Sequence, residues 1–397
     1  MRLAEGILEL QSEIRAIRRD LHAHPELRYE EHRTAQIVAT KLRDWGLEVA
    51  TGIGGTGVVG TLRRGTSTRA IGLRADMDAL PVQEQNAFDH ASKHEGKMHA
   101  CGHDGHTAML LAGARWLAAN GGFDGIVHFI FQPAEEGGAG AQKMIDEGLF
   151  ERFPCEAVFG MHNWPGMTVG QFGVTPGPMM ASSNEFEITV RGKGAHAAMP
   201  QNGIDPVLVA THVVQALQSI ITRNKKPIDA AVLSVTEIHA GNATNVVPDS
   251  AVIRGTVRTF TLETLDLIET RMKAIVEQLP PAFGATGAMH FHRNYPPTIN
   301  DRKQTEFAVS VMRELVGESN VDAACEPTMG SEDFAFMLLA KPGCYAFIGN
   351  GDGSHRHAGH GMGPCMLHNP SYDFNDELIP LGGSYWARLV QRFLPAA

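Results

Sequence analysis

The stretch Gly125-Ile-Val-His-Phe-Ile-Phe131 most constrains what this chain can fold into. A near-continuous apolar run of this length reads as a strand covered on both faces, as in a parallel sheet. Helical patterns at 107–119 and about 138–147 flank it, and a second apolar run, Ala157–Met161, continues the alternation. Helices over 3–20 and about 29–45 come first, followed by short β-type runs at Leu47–Ala50, Val58–Leu62 and Ala70–Arg74. Strands alternating with helices predict an α/β domain on a mostly parallel sheet.

The pattern changes after Gly177-Pro178. Glu185–Arg191 (EFEITVR) alternates apolar with polar residues, which predicts a half-buried antiparallel strand. A helix over Pro206–Thr222, strands at Ala230–His239 and Ala251–Phe260, a helix at about 262–279 and a strand near Ala288–His292 follow. That order is the split-βαβ order of a ferredoxin-like module. At 397 residues the chain exceeds one ordinary core. The expected organisation is a discontinuous α/β domain over 1–183 and 292–397, interrupted by a ferredoxin-like α+β domain over 184–291.

Composition narrows the function classes. A net charge of −10 leaves no basic stripe for nucleic acid, and no apolar run is long enough to span a membrane. The N-terminus lacks the charged region and apolar core of a signal peptide, and five scattered cysteines suit a reducing compartment. A cytoplasmic protein is expected.

Residues with metal-ligand chemistry collect where the strands end. Cys101-Gly-His103-Asp104-Gly-His106 lies where a loop feeds a helix. Gln132-Pro-Ala-Glu135-Glu136 follows the buried strand, and His162-Asn163 follows the next one. His368-Asn-Pro-Ser-Tyr-Asp373 lies near the C-terminus. Ligands in open α/β sheets bind outside the carboxyl ends of strands. Adjacent glutamates at such a place point different ways, so one can bind metal while the other faces water. Cys101, His103, Glu136, His162 and His368 make five ligands. One catalytic zinc needs three, so five serve two ions only if one ligand bridges. A neutral imidazole has one lone pair and cannot bridge, whereas a thiolate can. The expectation is two ions joined by Cys101, one completed by Glu136 and His368, the other by His103 and His162.

Other patterns carry less. Gly52-Ile-Gly54-Gly55-Thr56-Gly57 fits a dinucleotide fingerprint, but a β-type run follows it, so it reads as a hairpin loop. No GxSxG or HExxH is present. The segment His355-Arg-His357-Ala-Gly-His360 reads as a loop rimming the cleft.

The long motifs RADMDALP (74–81), HACGHDGHTAML (99–110), QPAEEGGAGA (132–141), GMHNWPG (160–166), GKGAHAAMP (192–200), NVVPD (245–249), GSEDF (330–334) and HNPSYDFND (368–376) resemble those of M20 metallopeptidases. They are most similar to the amidohydrolase branch of hippurate hydrolases, N-acyl-amino-acid deacylases and auxin-conjugate hydrolases. The resemblance implies a di-metal catalytic domain with a lid that also dimerises, as a homodimer or dimer of dimers. It also implies two divalent ions (Zn, Mn, Co or Ni) and hydrolysis of the amide of a small N-acyl amino acid. A metallo-carboxypeptidase or dipeptidase is the alternative, and a catalytically silent metal-binding protein a more distant one.

By the same resemblance Glu135 is the general base, shuttling a proton from water to the leaving amine. Asp76 is the acid behind the ligands, although Arg74 stands where other branches carry a metal-binding histidine. His196 reaches a partner subunit's site to stabilise the oxyanion, and Asn245 and Arg258 hold the substrate carboxylate.

Overall fold

In the computed structural model, which describes residues 1–356 and 358–396, helices α1 (Ile7–Ala23) and α2 (His32–Asp44) lead into three strands. These are β1 (Glu48–Ile53), β2 (Gly57–Arg64) and β3 (Ala70–Asp76). Helix α3 (His103–Asn120), β4 (Gly125–Gln132), α4 (Gly140–Asp146), β5 (Ala157–Pro165) and the short β6 (Phe172–Gly173) continue the alternation. Helix α3 starts at His103, four residues before the apolar pattern does. Gly102, at φ 91°, takes the left-handed turn that opens the helix, and Asp104 in the first turn suits the helix dipole.

The chain then enters β7 (Ser183–Arg191), β8 (Ala195–His196), α5 (Pro206–Ser219), β9 (Ala231–Ala240) and β10 (Val246–Val247). Next come β11 (Ser250–Thr259), α6 (Leu262–Gln278) and β12 (Thr286–Tyr295). Strands β9-β11-β7-β12 form an antiparallel sheet in that order. The alternation of β7 buries Phe186, Ile188 and Val190, which pack with Val213 and Leu217 of α5 and Ile268 and Met272 of α6. Asp205 and Thr261 cap the two helices, accepting from the N–H groups of Val207 and Thr264.

Helix α7 (Arg302–Val316), β13 (Val321–Asp322), α8 (Phe334–Ala340), β14 (Gly343–Gly351) and α9 (Leu378–Phe393) complete the chain. The large sheet has the order β1-β2-β4-β3-β5-β14-β6-β13. Its centre, β4-β3-β5-β14, is parallel. The glycine-rich stretch at 52–57 joins β1 to β2 as an antiparallel hairpin at one edge. Helices α3 and α9 meet through small residues: a Cβ on Gly113 would lie 2.8 Å from Trp386 Cβ.

Two compact units result: Met1–Met179, Ile299–Glu326 and Asp333–Ala397 form one, Met180–Thr298 and Pro327–Glu332 the other. The second unit takes in Pro327–Glu332, a short segment that no periodicity marks. Among the described residues no helix is long and apolar enough to cross a membrane.

Candidate metal centre

All five expected ligands lie in the first unit, on different elements. Cys101 precedes α3 and His103 begins it, Glu136 follows β4, His162 lies in the buried part of β5, and His368 sits in the connection after β14. Their donor atoms fall into two groups that share one member. Cys101, His103 and His162 lie within 4.8 Å of one another, and so do Cys101, Glu136 and His368. The Cys101 sulfur is 3.3 Å from His162 Nε2, and His368 Nε2 is 3.3 Å from Glu136 Oε1.

The hydrogen bonds fix which nitrogen faces inward. His162 Nδ1 donates to the Asn163 carbonyl at 2.7 Å, leaving Nε2 bare toward the thiol. His103 Nδ1 donates to Asp78 Oδ1 at 3.1 Å. Its Nε2 is buried with no hydrogen-bond partner among the described residues, and Glu136 Oε1 is buried facing the His368 ring. Buried polar atoms left bare and converging in this way fit cations that a thiolate, imidazoles and a carboxylate would hold. Electrostatics agree. Burial, with the nearby His106, holds His162 well below its ordinary range, so it stays a neutral donor. Burial alone would lower His103, but Asp76 and Cys101 raise it well above its usual value. Hydrogen bonding to Cys101 and Glu136 raises His368 to about 10. The site attracts positive charge.

The acid on His103 is Asp78, which the motif reading passed over. Its second oxygen accepts from the Glu136 N–H at 2.9 Å, so one carboxylate orients two ligands. Asp76 lies close by, 3.8 Å from His103 Nε2, but its main partners are His106 Nδ1 at 2.6 Å and Arg74 Nη1 at 2.7 Å. Asp76 and Asp78 sit two apart where β3 ends, and that spacing was the available signal that both share a face. Asn163 was also missed. Its side chain donates to the Cys101 carbonyl at 2.7 Å and accepts from the Tyr372 hydroxyl at 2.7 Å, tying three ligand-bearing segments together.

Glu135 is buried, and its donor atom lies within 4.8 Å of those of His103 and Glu136. It accepts from the Asp333 N–H at 3.3 Å. His355 and His360, in the loop after β14, bond to the carbonyls of Asp373 and Gly361. His357 lies outside the described residues.

His196, Asn245 and Arg258 belong to the second unit. His196 pairs with Val246 across β8 and β10, and the Asn245 carbonyl accepts from the Ala197 N–H at 2.9 Å, so these two are neighbours. Both are exposed. Arg258 is half-buried near the far end of β11, where Nη1 lies 3.5 Å from the Ser182 carbonyl. At about 3.3 Å per residue, Ser250 and Arg258 are about 26 Å apart. Arg258 is therefore not beside Asn245.

An α/β scaffold that gathers a thiol, three imidazoles and a carboxylate at its strand ends defines a metal-dependent hydrolase. The chain belongs to Peptidase family M20/M25/M40, which its residues 72–392 match. It is 43% identical over 394 residues to a hippurate hydrolase of Campylobacter jejuni, covering 99% of this chain and 100% of that one. It is 41% identical to an N-acetyl-L-cysteine deacetylase of Bacillus subtilis, over 95% of this chain and 87% of the relative. A crystal structure of a dinuclear metal binding peptidase of the M20 family from Bacillus subtilis superposes with a TM-score of 0.82. Sequence identity there is 33%, with 96% of this chain and 98% of that one covered. The chain is thus an amidohydrolase of this family that uses divalent metal.

Proposed function

We propose that this protein hydrolyses the amide bond of N-acyl amino acids such as hippurate or N-acetyl amino acids, releasing a carboxylic acid and a free amino acid. The observation that carries the reading is the pair of donor groups sharing Cys101, with the Glu135 carboxylate against them. Cys101, His103 and His162 would hold one ion, and Cys101, Glu136 and His368 would hold a second. Zn, Mn, Co and Ni all suit this mixed donor set. Bound divalent ions lower the pKa of water and polarise a carbonyl.

Glu135 takes the proton of the attacking water and returns it to the leaving amine. Asp78 keeps His103 and the Glu136 turn in place during that exchange. His196 stabilises the oxyanion and Arg258 pairs with the substrate carboxylate. Because Asn245 stands with His196 and away from Arg258, the two cannot grip one carboxylate within a single chain. His196 and Asn245 serve the site of a second copy, which makes the working unit a homodimer. Five free, buried thiols support a cytoplasmic setting.

The test is a substrate panel. Release of free amino acid from hippurate and N-acetyl amino acids, lost in EDTA and restored by divalent ions, is expected. Cleavage of dipeptides alone would instead favour the peptidase alternative, and hydrolysis indifferent to EDTA would refute the metal-dependent reading.

A further inference from the structure

The turn that presents Glu135 and Glu136 is strained, and a segment without any catalytic motif braces it. Among the described residues four non-glycine positions have positive φ: Tyr29 at 65°, Ala134 at 54°, Ala139 at 53° and His368 at 62°. Ala134 and Ala139 bracket the Glu135–Gly138 turn, and Gly137 inside it is at 76°. Alanine gains nothing from a left-handed backbone, so such residues persist only where their surroundings force them.

The surroundings here are the connection between α1 and α2. Arg28 Nη1 donates to the Glu136 carbonyl at 3.1 Å, and the Tyr29 hydroxyl donates to the Gly138 carbonyl at 2.5 Å. The Ala134 N–H donates to Glu31 Oε1 at 2.8 Å, while Glu31 Oε2 accepts from the Thr56 hydroxyl at 2.5 Å. Glu31 is wholly buried, an unusual place for a carboxylate with no ion pair among the described residues. The contact is close: a Cβ on Gly138 would lie 2.7 Å from Ala134 Cβ and 3.2 Å from the Tyr29 ring.

We propose that Glu31, at the end of this clamp, is a positioning residue for the reaction. By accepting from the Ala134 N–H it holds the left-handed entry to the turn, and so sets the direction of the Glu135 carboxylate on the next residue. The proposal rests on Glu135 acting as the base in amide hydrolysis.

Three full-length, metal-loaded variants test it: Glu31→Ala, Glu31→Gln and Tyr29→Phe. Each is read by kcat and KM on hippurate and by amide hydrogen exchange of the segment 132–141. Glu31→Ala is expected to lower kcat about 10²-fold with KM within about twofold, as a misdirected catalytic group does. Exchange should quicken in 132–141 and stay unchanged in α3. Glu31→Gln keeps an acceptor for the Ala134 N–H and should retain most of the activity and the slow exchange. Tyr29→Phe removes one bond of the clamp and should quicken exchange in the same segment, which decides the matter if Glu31→Ala does not fold. Unchanged exchange in Glu31→Ala or Tyr29→Phe overturns the proposal, as does a Glu31→Gln variant as impaired as Glu31→Ala. If the wild type leaves every N-acyl amino acid intact, the functional reading fails alone, and the exchange data still decide what Glu31 holds.

Discussion

Glu135 and Glu136 are adjacent in sequence, and the proposed function gives them different tasks, one as base and one as ligand. Glu136 breaks from helical geometry at φ −72°, ψ 73°, which turns its carboxylate toward Cys101 and His368 while Glu135 stays buried beside His103. Replacing Glu135 by Gln removes a proton acceptor but no ligand. Metal content should therefore remain at the wild-type level while kcat falls about 10²–10⁴-fold, measured side by side. A histidine outside the site gives a prediction about stability. His128 on β4 is buried against Thr61, and burial pushes its pKa down to about 4. Its folded value lies below the unfolded one, so the unfolded chain takes up the proton first. His128 thus costs nothing above about pH 6.5, and its neutral form progressively penalises folding as pH falls toward 4. The loss is on the order of 3 kcal/mol at full extent. A His128→Phe chain should show a flatter decline in denaturation midpoint between pH 7 and 5.

Helices α3 and α9 explain why the ligand loops hold their places. Gly113 lets the Trp386 side chain approach, and Gly105 meets the Phe374 ring, so the first turn of α3 with its His103 is pressed against the segment leading from His368. Gly113→Ala gains up to about 1 kcal/mol of helix propensity but must move Trp386. The net effect should be a destabilisation of about 1–3 kcal/mol in chemical denaturation. Elements of this kind were legible in the sequence wherever periodicity decides them. The apolar run at 125–131 is β4, and the alternation of 185–191 is β7. Cys101, His103, Glu136 and His162, which the fold brings together, were legible too, because each adjoins a periodic element. What stayed hidden has no period. Asp78 and Asn163 act through hydrogen bonds to segments distant in sequence. Arg28–Glu31 sits in an aperiodic connection whose purpose depends on a turn a hundred residues away. The separation of Arg258 from Asn245 likewise required the register of β11.

At the scale of the whole molecule that separation makes a demand. If His196 serves another copy, two inactive chains can repair each other. Mixing Glu135→Gln with His196→Ala chains should restore about a quarter of wild-type activity, since half the pairs are mixed and one of their two sites is intact. Two variants that stay inactive after dissociation and remixing would argue for sites built within single chains. The dinuclear centre itself is the central claim, and stepwise metal loading tests it most directly. Apo-protein is titrated with a divalent ion while bound metal per chain and hippurate hydrolysis are followed together. Activity should climb until two ions are bound per chain and then level off, and Cys101→Ser, which replaces the shared ligand, should lose that second equivalent. Full activity with one tightly bound ion per chain would contradict it.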